Sequence, residues 1–167
     1  MKLAEIIQEA GTLELTKSHS VASIEHGTVI DHILPGKAIL LLRLLKLENH
    51  HNQITIGLNL PSGRMKTKDL IKVSGWELTP KETSQIAVFS LGTTINIISN
   101  YQVVKKIPVI LPETIEDILV CPNANCITHK ESTSRRFLVK SHRKEIQMEC
   151  SFCERCVYLN EITGYIL

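Results

Sequence analysis

The 167-residue sequence predicts an α+β protein with a larger α/β unit followed by a smaller β unit. Three observations predict this class: strand and helix patterns alternate through residues 28–107, a connection with two prolines follows at "KIPVILPE" (106–113), and all five cysteines lie within residues 121–156. No apolar run approaches the ~20 residues of a membrane helix, and the N-terminus is too charged for a signal peptide. We therefore expect a globular, cytoplasmic protein.

The first half of the larger unit contains three predicted elements. "TVIDHI" (28–33) is rich in β-branched residues and predicts a strand, whereas "GKAILLLRLLKL" (36–47) consists of good helix formers. "QITIGLNL" (53–60) alternates apolar residues with others and predicts a second strand. This alternation is expected to place four side chains on one face of that strand: Ile54, Ile56, Leu58 and Leu60.

The second half of this unit supplies the remaining elements. "DLIKVSGWEL" (69–78) predicts a strand, and "TPKE" (79–82) predicts a helix start with a capping box and a proline at the first helical position. That helix is expected to run to Gly92, and "TTINIIS" (93–99) and "YQVVKKI" (101–107) predict two further strands. The order β-α-β-β-α-β plus one extra strand indicates a ferredoxin-like α/β sandwich.

The smaller unit places a predicted β hairpin, "RRFLVK" (135–140) and "EIQMEC" (145–150), between two cysteine clusters. A unit of ~50 residues buries little apolar surface, and a structural metal is a usual remedy. Cysteine pairs from separate loops favour structural zinc in a reducing compartment, and four thiolates leave no open position for catalysis.

The cysteine spacing leaves the ligand set open. Cys121 and Cys126 form one pair, but "CSFCERC" (150–156) offers two CxxC pairs, and His129 and His142 are possible substitutes. Free buried cysteines and a redox CxxC are competing interpretations. The redox interpretation is disfavoured because the motif follows a predicted strand, whereas redox CxxC motifs begin a helix.

Basic and acidic residues of the larger unit are compatible with a nucleotide site. Lysines around "RMKTKDLIK" (64–72), together with Lys105 and Lys106, could hold a triphosphate or could protect a solvated sheet edge. Alternation predicts that Asp31 and His32 point to opposite faces of their strand. One of these two polar groups should then face a ligand or the covered side of the sheet.

Several motifs, in order and spacing, resemble the regulatory chains of aspartate carbamoyltransferase from about residue 21 to the C-terminus. They are "GTVIDHI" (27–33), "ITIGLNLPSG" (54–63), "KDLIK" (68–72), "NYQVV" (100–104), "LVCPNANCITH" (119–129) and the closing CxxC. The resemblance implies a non-catalytic chain with an N-terminal allosteric domain for ATP or CTP, in some members together with UTP. It also implies a C-terminal zinc domain that contacts the catalytic chain, and pairing of two regulatory chains into a dimer.

The resemblance also assigns residue roles. Asp31 is implied to contact ribose, Lys72 ribose and base, and His32 and Lys106 the phosphates, with Lys68 at the rim. The residues implied at the base are Asn96, Ile98, Tyr101 and Val103, and Ser23 and Ile24 through their backbone. The implied ligands of one zinc ion per chain are Cys121, Cys126, Cys150 and Cys153, which leaves Cys156 outside the set.

We therefore expect residues 21–107 to form an allosteric domain and 108–167 a zinc domain, after an N-terminal extension (1–20) that is either a short helix or loosely ordered. The leading hypothesis is an allosteric regulatory subunit without chemistry of its own, since no nucleophile–base pair or P-loop is present. The alternative is a zinc-ribbon nucleic-acid-binding protein, suggested by Arg135, Arg136, Lys140, Arg143 and Lys144. The net charge of +2 is too small to indicate a nucleic-acid or membrane partner, and 4% aromatic residues leave little surface for stacking bases. We therefore expect neither partner.

Overall fold

The structure is a computed structural model that describes residues 21–131, 133–142, 145–162 and 164–166. The predicted N-terminal extension lies outside these residues. The predicted α+β class is confirmed by two antiparallel sheets and two α-helices. None of the helices in these ranges is long and apolar enough to cross a membrane.

The first sheet has five strands in the order β2-β3-β1-β4-β5, and every neighbouring pair is antiparallel. The elements of this unit are β1 (Gly27–Ile33), α1 (Ala38–Leu44), β2 (Ile54–Pro61), β3 (Thr67–Ser74), α2 (Pro80–Phe89), β4 (Thr94–Ser99) and β5 (Gln102–Pro108). The predicted β-α-β-β-α-β order with an extra strand is confirmed, and β5 is the addition at one edge.

Both helices cover the same face of this sheet. Leu41 of α1 and Ile86 of α2 share one hydrophobic core with Ile30, Ile71 and Ile95 from the three central strands, and all five are fully or almost fully buried. A separate small cluster on the opposite face contains Val29, Leu70 and Ile98. We call this second side, which no helix of the described residues covers, the open face.

Helix α2 begins as predicted and ends earlier. Thr79 accepts the Glu82 N–H at 3.3 Å, and the Glu82 carboxylate accepts the Thr79 N–H at 2.7 Å, so the capping box is present. The helix was expected to reach Gly92 but ends at Phe89. Ser90 explains the difference, because its hydroxyl accepts hydrogen bonds from Leu34 N–H and Thr93 Oγ1 outside the helix.

The prediction of one apolar face along β2 is wrong. The pairing of β2 with β3 shifts register between Gly57 and Leu60, which is a β-bulge. Ile54 packs against the helix-side core, whereas Leu60 packs on the open face. Leu58 is left exposed, so the bulge reverses the alternation within the strand.

A second bulge overturns the prediction that Asp31 and His32 point to opposite faces. The register with β3 shifts between Ile30 and Ile33, and His32 has a positive φ of 59°. Ile30 and Ile33 are both buried in the helix-side core, while His32 Nδ1 lies 3.2 Å from Asp31 Oδ2. The bulge therefore places the two polar side chains together.

The second sheet has the strand order β6-β7-β8-β9, again antiparallel throughout. Its strands are β6 (Thr114–Glu116), β7 (Arg136–His142), β8 (Glu145–Cys150) and β9 (Cys156–Tyr158). The predicted hairpin corresponds to β7 and β8. The two sheets share one core, because buried residues of both belong to the same cluster and the Phe89 and Tyr165 rings meet edge to face at 4.6 Å.

Candidate functional sites: a four-cysteine cluster and the open sheet face

Four of the five thiols converge at one end of the second sheet. The sulfurs of Cys121, Cys126, Cys150 and Cys153 all lie within 4.8 Å of one another. The Cys121–Cys153 and Cys126–Cys150 sulfur pairs are 3.7 and 3.8 Å apart. Zinc–sulfur bonds of about 2.3 Å in a tetrahedron require sulfurs about 3.8 Å apart, so the cluster fits a tetrathiolate zinc ion.

Two tight loops bring these sulfurs together. In the first, Cys126 N–H donates to Asn123 O at 2.9 Å, and His129 N–H donates to Cys126 O at 3.1 Å. In the second, Glu154 N–H donates to Cys150 O at 2.8 Å, and Glu154 adopts a positive φ of 57°. Both loops turn the backbone so that paired cysteines face the same point, as metal knuckles require.

The local environment shifts the pKa values of the clustered thiols in different directions. Burial raises the pKa of Cys121 and of Cys150. Burial alone would also raise the pKa of Cys153, but hydrogen bonds, chiefly from the Asn123 side chain and the Arg155 N–H, lower it to about 7. A metal ion binding here would displace protons from the buried thiols, so acidification would favour its release.

Neither Cys156 nor His129 joins the cluster. Cys156 is exposed and donates from Sγ to a Glu149 oxygen at 3.4 Å. His129 is engaged elsewhere, since its Nε2 lies 2.7 Å from Cys121 O, and the side chain of His142 lies outside the described residues. Of the two CxxC pairs in the sequence, the geometry therefore brings Cys150 with Cys153 to the cluster.

The open face of the first sheet carries a row of residues directly opposite one another on four strands. Lys72 of β3 pairs with Val29 of β1, Val29 with Asn96 of β4, and Asn96 with Lys106 of β5. Directly paired residues point to the same face of a sheet. With strands ~4.8 Å apart, the two lysines end a row roughly 14 Å long.

This row contains an unsatisfied acceptor. Asn96 Oδ1 is shielded from solvent and accepts no hydrogen bond from the residues that the structure describes. Buried polar atoms without a partner are uncommon, and a ligand donor would satisfy this one. Beside it, Ile98 pairs with Val103, which adds an apolar patch, and Tyr101 follows in the β4–β5 turn as an exposed ring.

A polar cluster adjoins the row where the β1 bulge lies. Lys68 Nζ forms a 2.6 Å ion pair with Asp31 Oδ1, and Asp31 Oδ2 faces His32. Burial lowers the pKa of Lys72, and the negative charge of nearby Asp31 opposes this shift only in part. Three cationic or ionisable groups therefore surround one carboxylate on the open face.

The segment that precedes β1 lies against this face. Lys72 Nζ donates to the carbonyls of Val21 and Ala22 at 3.2 and 2.6 Å, and Tyr101 N–H donates to Glu25 O at 3.0 Å. Ser23 and Ile24, the two residues expected to offer backbone groups, lie between these anchors. All eleven predicted effector residues therefore lie on or beside the open face.

Two structurally important residues were not among the predicted site residues. Val29 lies at the centre of the row, and its position two residues before Asp31 was the available signal. Asp69 is completely buried and accepts backbone N–H groups from Gly36, Ala38 and Asn59, which fixes the start of α1 and the β2 bulge. The corresponding signal in the sequence was its spacing of two residues from Ile71, which predicts that both side chains lie on the same face of the strand. A carboxylate on a buried face requires hydrogen-bond donors.

Comparison with known proteins gives two family models that together match most of the chain. The model described as the aspartate carbamoyltransferase regulatory chain, allosteric domain, matches residues 19–110. The model described as the metal binding domain of the same regulatory chain matches residues 113–163.

Individual relatives agree with these models. The chain is 42% identical over 142 residues to an aspartate carbamoyltransferase regulatory chain of Aliivibrio fischeri strain MJ11, which covers 85% of this chain and 92% of the relative. It is 45% identical to that of Photorhabdus laumondii over 143 residues (84% and 93%). It is 47% identical to that of Yersinia pestis over 135 residues (81% and 88%).

Proposed function

Because the chain belongs to the family of aspartate carbamoyltransferase regulatory chains, we propose that it binds ATP and CTP on its open face and transmits their effect to catalytic chains. The family membership makes it a regulatory chain, not a catalytic one. In this proposal residues 21–107 form the nucleotide-binding domain and 108–167 the zinc domain, with 1–20 as an extension. We place it in the cytoplasm, where clustered thiols serve as metal ligands.

The observation that supports effector binding most strongly is the row from Lys72 to Lys106. Two ammonium groups at the ends of a row with an apolar centre and an unsatisfied amide match a ligand with separate charged and apolar parts. We assign Lys106 and His32 to the phosphates, Asp31 to ribose, and Lys72 to ribose and base. Lys68 pairs with Asp31 at the rim and offsets the repulsion between that carboxylate and an anionic ligand.

The base is assigned to the apolar side of the row. Ile98, Val103 and Tyr101 supply surface for a planar ring, and Asn96 supplies a polar group. The backbone of Ser23 and Ile24 would meet the base edge. Backbone N–H and C=O groups distinguish the donor patterns of adenine and cytosine, so ATP and CTP can share this site, with UTP as a third effector.

The zinc ion is assigned to Cys121, Cys126, Cys150 and Cys153, one per chain, on the basis of the sulfur spacing. A closed tetrathiolate ion stabilises the two loops and takes no part in chemistry. Beside the cluster, Ile127 and Phe152 are each 40% exposed on these same loops. We propose that this metal-stabilised apolar surface contacts the catalytic chain, since exposed apolar side chains on a rigid surface favour a protein partner.

Strand β2 is assigned to a regulatory dimer. Among the described residues it is an edge strand, and Ile56 and Leu58 are 36% and 47% exposed. Unprotected apolar edge strands pair readily with a second chain. A second copy pairing at β2 would cover both side chains and remove the edge.

Leu58→Lys is expected to weaken this dimer. Placing a charge in the pairing edge removes about 1.5–3 kcal/mol of apolar burial, which corresponds to roughly ten- to hundredfold weaker dimerisation. Sedimentation equilibrium of the zinc-loaded chain measures the change, with Ile110→Lys, an exposed apolar position outside β2, as the matched control. Equal dimer affinity in Leu58→Lys and wild type would rule out β2 as the interface.

Co-purification tests the assignment as a whole. The zinc-loaded chain is expected to bring down an aspartate carbamoyltransferase catalytic chain and to bind CTP, without a salt-dependent mobility shift of DNA or RNA. A nucleic-acid shift without binding to the catalytic chain would instead favour the zinc-ribbon alternative. That alternative is weakened by the structure, because Arg136 and Lys140 are already paired with Glu116 and Glu149.

A further inference from the structure

A cavity of about 550 Å³ lies between the two units, where the β1–α1 connection and the end of α2 face the second sheet and the segment after it. It opens between Phe89 and Leu91 at the end of α2 and Ile162 and Tyr165 after β9. We call it the junction cavity. None of the residues assigned above to effectors or metal lines it.

The lining of the junction cavity combines buried apolar side chains with polar groups. Val88, Phe89 and Ile162 are buried residues of the shared core, and the Phe89 ring packs edge to face on Tyr165. Tyr165 is itself held by a hydrogen bond from its hydroxyl to Ile162 O at 3.2 Å. A cavity of this size, located where two units meet and lined partly by apolar side chains, has the properties of a small-molecule site.

Two opposite charges stand in different walls of the cavity. Lys37 lies just before α1 in the first unit, and Glu161 ends the short 3₁₀ turn (Leu159–Glu161) in the second unit. Glu161 Oε2 accepts the Tyr158 N–H at 2.9 Å, which fixes the carboxylate at the cavity. Neither side chain forms an ion pair with any residue in the described ranges, so each charge can accept a ligand partner.

We propose that the junction cavity binds a small zwitterion with an apolar body, of the size of an apolar dipeptide. Its carboxylate pairs with Lys37, its ammonium with Glu161, and its side chains pack against the partly exposed apolar lining, which consists of Leu34, Leu91 and Tyr158. This arrangement satisfies both charges and removes the apolar lining from water. The two charges prevent a neutral molecule of the same shape from binding equally well.

A ligand held by both walls would connect the two units. Because its contacts come from both sides, it binds one relative placement of the walls better than others and stabilises that placement. If the proposed function is correct, the ligand would then alter how strongly CTP affects the catalytic chain, since both act on the same two-unit chain. Only this regulatory consequence rests on the proposed function; the binding itself does not.

Methyl NMR of the full-length, zinc-loaded chain tests the proposal, with leucyl-leucine as the probe up to about 10 mM. Saturable shifts are expected at the methyl groups of Val88, Leu91 and Ile162. The methyl groups of Val29 and Ile98 on the open face should not move. N-acetyl-leucyl-leucine amide, which lacks both charges, should bind at least about tenfold more weakly.

Variants locate the site. Lys37→Gln is expected to weaken leucyl-leucine binding about tenfold, whereas Arg43→Gln, which removes an exposed cation of α1, should not. Leu91→Trp should fill the cavity mouth and abolish the shifts, whereas Ile110→Trp should leave them intact. These substitutions are at half-buried or exposed side chains, so folding is expected to persist.

The outcomes separate this proposal from the proposed function. No saturable shift, or equal binding to wild type and Lys37→Gln, overturns the junction site. A CTP titration of the same sample should move Val29 and Ile98, and its success beside a failed dipeptide titration rejects only the junction site. Dipeptide binding without any CTP response would support the junction site and count against the effector assignment.

Discussion

Replacing Cys150 with serine is expected to release the metal, unfold the β6–β9 unit and prevent assembly with the catalytic chain. Structural zinc contributes about 10–16 kcal/mol of apparent binding free energy in small domains, comparable with the ~5–15 kcal/mol that stabilises a whole protein. Cys150 ends β8 and brings its sulfur within 3.8 Å of Cys126, so its loss opens the cluster and releases the strand that leads to it.

Cys156→Ser is the matched control for this prediction. Cys156 lies outside the cluster and is exposed, so its substitution should leave one zinc ion per chain and normal assembly. Metal analysis, methyl NMR of the second sheet and co-purification measure the three effects, and chelation of the wild type should reproduce the Cys150→Ser result. Full assembly after complete removal of the metal would show that zinc does not stabilise the docking surface.

Lys106→Ala is expected to weaken the binding of CTP and ATP by roughly ten- to hundredfold, since a charge-assisted hydrogen bond contributes about 1.5–3 kcal/mol. The side chain is exposed on the edge strand β5, so stability and assembly should not change. Lys72→Ala should weaken the binding of both nucleotides as well. It would also remove the hydrogen bonds to Val21 and Ala22, which makes Lys106 the cleaner test.

Lys105→Ala provides the control for charge. Lys105 pairs with Ile97, whose side chain packs on the helix-side core, so Lys105 points away from the open face although it is adjacent in sequence. Calorimetry should give wild-type CTP affinity for this variant. If Lys105→Ala and Lys106→Ala lost affinity equally, the effect would be one of net charge and the row would not be the site.

Local sequence signals predicted the elements of the fold well. The capping box at Thr79 and Pro80 located the start of α2 because its donors and acceptors lie within three residues of one another. The β-α-β-β-α-β order of elements along the chain indicated the sandwich, since few arrangements join such elements by short, uncrossed connections. These features depend on neighbours in sequence or on topology.

The two bulges could not be predicted from alternation. Strict period-2 spacing suggested a continuous face from Ile54 to Leu60, but Leu60 folds over Gly57, where an added Cβ would lie 2.6 Å from Leu60 Cδ1. The bulge at Asp31 and His32 likewise depends on which strand pairs with β1. Such register shifts arise from tertiary pairing, and a single extra residue reverses every later side chain.

For the two sites as well, the sequence predicted one part, and the rest depends on tertiary structure. Cysteine spacing predicted a metal cluster but left two CxxC pairs, and only the packing of β8 against the first loop brings Cys150 rather than Cys156 to it. The effector residues were implied by a resemblance. Their common row across four strands depends on strand register, which no local pattern in the sequence encodes.

The central claim is that a nucleotide bound to the open face changes the activity of the catalytic chain. Carbamoyltransferase activity of the co-purified complex, measured with and without CTP, tests this most directly. We expect CTP to change the activity of the wild-type complex and to have little effect on an intact complex carrying Lys106→Ala at the same concentration. Activity indifferent to CTP while CTP is bound to the wild-type chain would contradict the account.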